Sequence, residues 1–355
     1  MSISQRKAEH LDLCATDEVA FQGKTTLFEE VSLVHEALPE MSVADVDLTT
    51  TFLGKTLSAP VMIAAMTGGT ERAEAVNQTL AQVADELGLG FGFGSMRPLL
   101  EAGIKTGYEV REVAPNALVL GNLGLVQARA ASTSQVAAMV ADVGCDALAI
   151  HLNPAMEVIQ PEGDDDFTDG LPTIERYVKE LPVPVVVKET GCGLSRRTAK
   201  RLIDLGVANV DVSGAGGTSW VGVETLRARA RTRRLGELFW DWGVPTAASV
   251  AQLSGLGLNV VATGGVKHGL DVARAVALGA RLGGLARPFL MAYNEGGYDG
   301  VKAAGEELIE ELRVACLLSG SRTPSDLATQ PVVLGPKLER WVPSDSPLRS
   351  RFLYR

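Results

Sequence analysis

The residue types best suited to chemistry follow one another in the loop that begins at His151. This loop carries the imidazole of His151, the amides of Asn153 and Gln160, and the carboxylate of Glu162. Proteins usually hold a hard cation such as Mg²⁺ through few side chains together with the phosphates of a substrate. We therefore expect the loop to bind Mg²⁺ beside a phosphorylated ligand, with Glu162 as the metal ligand. The aspartates at 164–166 are more typical of a solvated loop.

Glycine-rich turns later in the chain are suited to a phosphate. The segments 264–267 and 286–287 are similar to the loops that follow the last two strands of many barrels, where backbone N–H groups approach an anion. A helix beginning near Leu270 would direct its positive N-terminal end to the same place. These glycines could instead only turn the chain, but three further glycines within 214–217 favour a phosphate site.

Three basic side chains lie at positions where they could bind an anionic ligand. Lys188 ends an apolar run, and a buried lysine is costly unless it meets an anion or a polarised ligand. Pairing with Glu189 is the structural alternative, although neighbouring strand residues face opposite ways. Arg6 and Lys7 are adjacent cations that could fold over a site and meet a diphosphate, whereas such a chain start alone is more often disordered.

Eight short apolar runs must position these residues. Runs that are apolar throughout are typical of parallel strands covered on both faces, and segments with helical spacing separate them. Eight such units predict a (β/α)8 TIM barrel in the α/β class, because a doubly wound sheet usually has about six strands. The polar residues above then lie at the C-terminal strand ends, where barrel chemistry occurs. The predicted strands are 60–66, 90–95, 117–123, 147–152, 184–190, 209–214, 259–265 and 281–287.

The rest of the chain is expected to complete one barrel domain. Residues 1–59 form an N-terminal pre-barrel segment that covers the active face, and residues 60–355 form the barrel with a C-terminal helix at 297–319. The long gap between the sixth and seventh strands predicts an insertion near the active face. The predicted barrel helices are 73–88, 99–113, 132–144, 173–181, 195–206, 221–238, 246–256 and 270–279.

Composition excludes several classes of function. A formal net charge of −10 and a pI near 5.1 argue against a nucleic-acid partner, which requires a basic face. The longest apolar stretches fall short of the roughly 20 residues that span a bilayer, so we expect a cytoplasmic protein with no membrane partner. The four scattered cysteines favour neither a disulfide framework nor a zinc site. Five arginines within 227–234 are expected to form a solvated helix face or a subunit contact.

The assembled motifs resemble the type 2 isopentenyl-diphosphate delta-isomerases, which are FMN-dependent flavoproteins. The similarity covers nearly the whole chain, and the two longest motifs are highly specific. In order, these motifs are Arg6-Lys7 with His10, the run AMTGG at 65–69, the run from HLNP to QPEGD at 151–164, and the run DVSGAGGTSW at 211–220. The sequence departs from the family pattern at Met96, Met156 and Cys192, none of which we assign to the metal or to the flavin phosphate.

The resemblance implies a function and a set of site residues. It implies interconversion of isopentenyl and dimethylallyl diphosphate by a 1,3-allylic proton shift, in isoprenoid biosynthesis. Reduced FMN acts as acid and base, NADPH is the reductant, and Mg²⁺ held by Glu162 bridges the diphosphate. A homo-oligomer, either tetramer or octamer, is expected. The catalytic side chains would be Gln160 and His151. The expected substrate contacts are Arg6, Lys7, His10, Arg97, His151, Asn153 and Gln160. The expected FMN contacts are Ala65, Met66, Thr67, Ser95, Asn122, Lys188, Ser213, Thr218, Gly264, Gly265, Val266, Lys267, Ala286 and Arg287.

Other flavin-barrel functions remain as alternatives. An FMN-dependent 2-hydroxy-acid oxidase would need a histidine just after the sixth strand, and residues 213–220 contain none. A barrel of the IMP-dehydrogenase or glutamate-synthase kind would need a reactive loop cysteine, for which Cys192 is the only candidate. A flavin-binding scaffold without activity is the non-enzymatic alternative, and the presence of Gln160 and Glu162 argues against it.

Overall fold

Eight parallel strands close into a barrel in the computed structural model, which describes residues 3–161 and 163–352 and gives only the backbone of residues 3–8 and 230. Barrel closure occurs where the eighth strand pairs with the first, in the register Gly283↔Val61 and Leu285↔Ile63. The predicted (β/α)8 barrel is thereby confirmed. In chain order, the described strands are β1 (Val31–Leu33), β2 (Thr50–Phe52), β3 (Lys55–Leu57), β4 (Val61–Ile63), β5 (Gly90–Gly92), β6 (Leu118–Gly124), β7 (Ala147–Leu152), β8 (Val185–Glu189), β9 (Asn209–Asp211), β10 (Asn259–Ala262), β11 (Leu282–Leu285) and β12 (Val332–Leu334), of which β4 to β11 form the barrel.

Helices follow the barrel strands and bury their apolar faces against them. Several begin at the polar caps that the sequence provides, such as Thr70, whose hydroxyl accepts from the N–H of Ala73 at 3.1 Å. Gly88 and Gly279 end two of them in the left-handed region, which glycine adopts without strain. In chain order, the described helices are α1 (Ile3–Cys14), α2 (Glu71–Leu87), α3 (Arg97–Ala102), α4 (Leu125–Ala130), α5 (Thr133–Asp142), α6 (Pro154–Glu157), α7 (Gly170–Glu180), α8 (Arg196–Ile203), α9 (Trp220–Arg227), α10 (Ala230–Phe239), α11 (Thr246–Leu253), α12 (Gly269–Leu278), α13 (Arg287–Leu318), α14 (Pro324–Leu327) and α15 (Pro336–Glu339).

The helix predicted at 99–113 is wrong for most of its length. Helix α3 ends at Ala102 because Gly103 adopts a φ of +67°. The chain then turns inward and buries Tyr108 completely, with its hydroxyl donating to the carbonyl of Ser95 at 2.6 Å. Tyr108 also lies so close to Gly68 that any side chain there would overlap its ring. This segment therefore supports the ends of the first two barrel strands.

The helix predicted at 221–238 is two helices, because the backbone is extended at Ala228 and Arg229 between α9 and α10. The break turns Arg227 inward, where its side chain is 9% exposed. Its guanidinium contacts Glu9 at 2.9 Å and Glu224 at 2.5 Å. Arg227 therefore does not belong to the solvated arginine face that was expected. The inserted helices α9 to α11 do lie between the sixth and seventh barrel strands, as predicted.

The predicted helix 297–319 is the second half of α13. This element begins earlier, at Arg287, and kinks at Gly297, where φ is 55° and ψ is −135°. Its first half directly follows the last barrel strand, so the helix start lies next to a strand end. The sequence signal for the first half is weak because two glycines, Gly296 and Gly297, interrupt it.

Residues before the barrel lie at both of its ends. Residues around Ala20 run beside the loop after β9, with Phe21 donating to the carbonyl of Gly217 at 3.1 Å and Ala20 forming a bridge with Thr218. The β2–β3 hairpin lies instead at the opposite end, where Phe52 and Leu57 pack with the first residues of several barrel strands. The covering segment predicted over 1–59 thus divides into a part beside the strand ends and a plug beneath the barrel.

No helix in the described part of the chain has both the length and the apolar character needed to cross a membrane. The four cysteines are unpaired, as expected. All four lie within the described ranges, and Cys145 and Cys316 are buried as small apolar side chains.

Candidate functional site

A cavity of about 470 Å³ opens at the C-terminal ends of the barrel strands. It collects every sequence-predicted site residue whose side chain the structure describes. Arg6, Lys7 and Glu162 are the three predicted residues whose side chains lie outside the described part. The predicted residues that line the cavity are His10, Ala65, Met66, Thr67, Ser95, Arg97, Asn122, His151, Asn153, Gln160, Lys188, Ser213, Thr218, Gly264, Gly265, Val266, Lys267, Ala286 and Arg287.

One end of the cavity is formed by backbone that only glycine permits. Gly264 and Gly265 adopt φ values of 96° and 74° after β10. A side chain on Gly217 would overlap the backbone of Gly265, so the loops after β9 and β10 touch directly. Arg287 lies at the start of α13, where its guanidinium contacts Asp17 at 2.8 Å. This end offers backbone N–H groups, a cation and helix N-termini, which together suit a phosphate.

Asn122 and His151 form a fixed pair on neighbouring strands. The Nδ2 of Asn122 donates to the carbonyl of Phe93 at 3.0 Å, so its Oδ1 faces the Nδ1 of His151 at 2.8 Å. Because that oxygen can only accept, His151 carries its proton on Nδ1. Burial, and then the charge of Lys188, lower the pKa of His151 to about 3. The imidazole is therefore neutral, with the lone pair of Nε2 available.

Lys188 lies in the floor of the cavity with its charge partly balanced by Asp211. Its Nζ donates to the backbone carbonyl of Glu189 at 2.6 Å and lies 3.9 Å from Oδ2 of Asp211 on the next strand. The pairing with the Glu189 carboxylate, weighed from the sequence, is therefore replaced by a pair across strands. Burial raises the pKa of Asp211, while Lys188 and the hydroxyl of Thr263 act in the opposite direction.

Glu189 fastens the loop after β8 beneath the cavity. Its Oε2 accepts from the backbone N–H groups of Thr190, Cys192 and Gly193 at 2.6, 2.5 and 3.1 Å. Burial raises the pKa of this carboxyl to about 8, against the lowering effect of those donors and of Lys188. The loop that it holds brings Thr190 and Gly191 to the cavity wall.

The loop that begins at His151 is organised around Glu157. The Oε1 of Glu157 accepts from Nδ2 of Asn153 at 2.7 Å, and its Oε2 accepts from Nε2 of Gln160 at 3.2 Å and from the N–H of Asp164 at 3.0 Å. Asn153 and Gln160 are each 8% exposed. One carboxylate thus gathers two candidate functional amides on the same wall of the cavity.

Helix α1 reaches the cavity through His10. The Nε2 of His10 lies 2.8 Å from Oε1 of the fully buried Glu224, and its ring contacts the edge of Trp220, with centroids 5.3 Å apart. Arg227 joins the same group through Glu224. These contacts attach the N-terminal helix to α9, which was inserted after the sixth strand.

Several residues that line the cavity were missed by sequence reasoning. Asp211 carried a visible signal, since it is a lone carboxylate within an apolar run. Glu157, Gln127 and Thr190 carried none, because their proximity to the cavity depends on loop conformation. The missed residues that line the cavity with polar or aromatic groups include Asp17, Gln127, Glu157, Thr190, Asp211, Trp220 and Thr263.

Comparison with known proteins gives first a class and then a family. A family model described as FMN-dependent dehydrogenase matches residues 2–157 and 129–334. A solved mandelate oxidase variant with a monooxide FMN adduct is similar with a TM-score of 0.66 and 22% identity, over 91% of this chain and 95% of that chain. A second structure of a mandelate oxidase variant, solved with (S)-mandelic acid, is similar with a TM-score of 0.65 and 22% identity, over 94% of this chain and 99% of that chain. These structures share the fold, and the barrel with its glycine-lined cavity is of the FMN-dependent dehydrogenase class.

Curated relatives place the chain more narrowly. A protein of Sulfurisphaera tokodaii is 42% identical over 97% of this chain and 95% of its own length. A protein of Methanothermobacter thermautotrophicus is 43% identical over 96% of both chains, and one of Halobacterium salinarum is 43% identical over 95% of both. All three are named isopentenyl-diphosphate delta-isomerase. The chain belongs to the isopentenyl-diphosphate delta-isomerase family, which confirms the resemblance read from the motifs.

Proposed function

We propose that this protein interconverts isopentenyl diphosphate and dimethylallyl diphosphate in isoprenoid biosynthesis, with FMN as its cofactor. The observation that carries the proposal is the gathering, in one cavity, of the described residues that the resemblance assigns to FMN and substrate. Relatives that carry the name of this activity match almost the whole chain. The reaction moves one proton onto the alkene and removes another two carbons away.

The polar atoms of the cavity support FMN as the cofactor. The hydroxyls of Thr67 and Thr190 are buried without a hydrogen-bond partner among the described residues, as is Nε of Arg287. A flavin offers ring nitrogens and carbonyls to such hydroxyls, and its phosphate suits Arg287 and the backbone at Gly264 and Gly265. The residues therefore fit FMN, and we propose that it makes the contacts that the resemblance implies.

Mg²⁺ is proposed at the wall formed by the loop that begins at His151. Glu162, the expected ligand, lies outside the described residues. Across residues 3–161 and 163–352, no three His, Cys, Asp or Glu side chains gather into a preformed metal cage. A cation held by Glu162 and a diphosphate needs no such cage, because Mg²⁺ commonly binds through one or two carboxylates plus substrate phosphates.

The side chains divide the work of the proposed reaction. Reduced FMN, when bound, supplies the acid and base chemistry of the 1,3-allylic proton shift, with no net redox change. Neutral His151 can accept a hydrogen bond at Nε2 while Asn122 holds its Nδ1 proton. Gln160, from the loop that begins at His151, is proposed to orient the alkene. Arg97, whose side chain also contacts Glu101 at 2.9 Å, is assigned to the diphosphate together with Arg6, Lys7 and His10.

The proposed function also includes a reductant, a cellular compartment and an oligomeric state. NADPH is proposed as the reductant that keeps FMN in its active form. The chain is proposed to act in the cytoplasm as a homo-oligomer, either a tetramer or an octamer. The resemblance to the isopentenyl-diphosphate isomerases supports each of these features.

The first experiment is an anaerobic incubation of the purified protein with isopentenyl diphosphate, FMN, NADPH and Mg²⁺, followed by NMR in D₂O. Each component is omitted in turn. Dimethylallyl diphosphate that forms only when reduced FMN and Mg²⁺ are both present supports the function and both cofactors. Bound yellow flavin with no product would contradict the substrate, and 2-hydroxy acids would then be tested.

A further inference from the structure

We infer that Asp211 is a positioning residue for the cofactor, because it holds the ammonium group of Lys188 in the cavity floor and offsets its charge. A bound flavin then meets a pair of opposite charges rather than a lone cation. The inference rests on the proposed function, since that proposal assigns Lys188 to FMN. Asp211 lines the same cavity but has no role in the reaction as described above.

The register of the barrel strands brings the two side chains together. Lys188 on β8 pairs with Asp211 on β9, and residues at the same register of neighbouring parallel strands point to the same face. The Nζ of Lys188 lies 3.9 Å from Oδ2 of Asp211, and the two side chains are 13% and 8% exposed. Among the described residues, Asp211 is the one carboxylate that forms an ion pair with this ammonium group.

The carboxylate of Asp211 is itself held by hydrogen bonds. Its Oδ1 accepts from the hydroxyl of Thr263 at 2.6 Å and from the backbone N–H of Ser213 at 3.1 Å. Two donors on one oxygen favour the ionised form of the carboxyl group and fix its orientation. The other oxygen, Oδ2, is thereby turned toward Lys188. Asp211 is therefore a fixed negative charge at a fixed place in the floor.

The surroundings of the pair leave its charges poorly screened. Beneath it lies a void of about 20 Å³, lined by both residues, by Asn122 and by apolar side chains that include Val186. His151, which pairs with Lys188 from β7, is neutral. Coulomb interactions are strong in such an interior. Without Asp211, Lys188 would attract electrons to the flavin and lower the basicity that the proposed proton shift requires of reduced FMN.

The reduction potential of bound FMN tests the inference without measuring turnover. Asp211→Asn keeps the shape of the side chain and leaves Lys188 without its counter-charge. Because reduction adds electrons to the flavin, the ratio of reduced to oxidised FMN at a fixed potential should rise about tenfold. For a two-electron couple this is an increase of about 30 mV in the midpoint potential. An anaerobic titration of the FMN-loaded protein against a reference dye measures it.

A second variant protects the test against a failure of Asp211→Asn to fold. Asp211→Ser removes the same charge with a different shape, and it should shift the potential in the same direction. Lys188→Gln leaves Asp211 unbalanced and should lower the ratio of reduced to oxidised FMN about tenfold. A merely structural pair would not give opposite shifts, because losing either partner would disturb the same floor.

The matched controls are Asp142→Asn and Lys105→Gln. They divide a lysine–aspartate pair at the protein surface, where the two groups lie 2.7 Å apart, and should leave the potential unchanged. An unchanged or lowered potential in both Asp211 variants would overturn the inference. Shifts of the same sign in Asp211→Asn and Lys188→Gln would also overturn it.

The potentials separate this inference from the proposed function. A wild-type protein that binds FMN but converts no isopentenyl diphosphate would refute the function, and the potentials of the variants would still decide on Asp211. A wild-type protein that binds no FMN overturns both. Normal turnover in the wild type with unshifted potentials in the Asp211 variants overturns the role of Asp211 alone.

Discussion

His151 should give the apoprotein a characteristic dependence of stability on pH. Its pKa falls from 6.5 in the unfolded chain to about 3 in the fold, because of burial and of Lys188. The unfolded chain therefore binds more protons below pH 6.5, and the free energy of unfolding should decrease as the pH falls toward 3. We expect His151 to contribute about 1 kcal/mol per pH unit between pH 6.5 and 5. Urea unfolding of wild type and His151→Gln across that range measures the difference.

Glu189 acts in the opposite direction, because its pKa is raised to about 8 and its contribution to stability falls as the pH rises above 4.5. Wild type and the His151→Gln variant share that contribution, so their difference isolates the imidazole. His268→Gln is the control, since that half-exposed ring only caps α12. Identical pH slopes for wild type and His151→Gln would show that the imidazole is not held neutral.

Gln160→Ala should abolish turnover while leaving FMN bound. Gln160 follows the fourth barrel strand, whereas the glycine-rich loops follow the sixth and seventh strands, so its loss should not alter the proposed phosphate site. We expect kcat to fall by at least about a hundredfold, a typical contribution for a group that assists proton transfer. Turnover is followed by NMR, and retained FMN by its absorbance after gel filtration. Val158→Ala changes a 49% exposed neighbour and should behave as wild type. Unaltered turnover in Gln160→Ala would remove this residue from the mechanism.

Residue types and the family resemblance together predicted most of the cavity lining but not its supporting contacts. His151, Lys188 and Gln160 could be predicted because each is a polar group that ends or follows an apolar run. The place of Glu157 in the cavity could not be predicted, because its hydrogen bonds with Asn153 and Gln160 depend on the conformation of the loop. The same holds for Glu189, whose three backbone donors come from a loop conformation that residue spacing does not encode.

At the scale of elements, the contact between the loops after β9 and β10 should be intolerant of any side chain. Gly217→Ala would place a Cβ against the backbone of Gly265, so the two loops must separate. We expect the affinity for FMN to fall at least about tenfold, because the backbone groups proposed for the phosphate would move apart. Flavin fluorescence titration measures this. Gly296→Ala, where a Cβ would meet nothing within 4 Å, is the control. Wild-type affinity in Gly217→Ala would argue against the phosphate site.

Strands and helices could be predicted where an apolar pattern determines them. They could not be predicted where a turn determines the end of a helix. The eight barrel strands follow their apolar runs because each must be covered on both faces. The segment after Ala102 reads as helical, yet Gly103 ends the helix and Tyr108 is buried instead. The extended backbone at Ala228 and Arg229 has no glycine or proline to mark it, so one helix was expected where α9 and α10 lie.

At the scale of the whole molecule, cofactor binding should be visible as thermal stability. A ligand that binds only the folded chain adds about 2.7 kcal/mol at a hundredfold excess over its Kd. We expect FMN to raise Tm by several degrees, in proportion to the logarithm of its concentration. Riboflavin, which lacks the phosphate, should raise Tm much less at equal concentration. Equal shifts for both ligands would contradict a phosphate site at the ends of β10 and β11.

The small antiparallel sheet of β1 and β12 has a consequence for biosynthesis. It pairs Val31 with Leu334 and Leu33 with Val332. Strand β1 can therefore pair only after β12, about 300 residues later in the chain, has been synthesised. Barrel closure is similarly delayed, because β4 has its second neighbour only when β11 has been synthesised. At roughly 5–20 residues per second, a nascent chain spends much of its translation with an exposed sheet edge. Chaperones that shield such edges on the ribosome should therefore increase the yield of this protein.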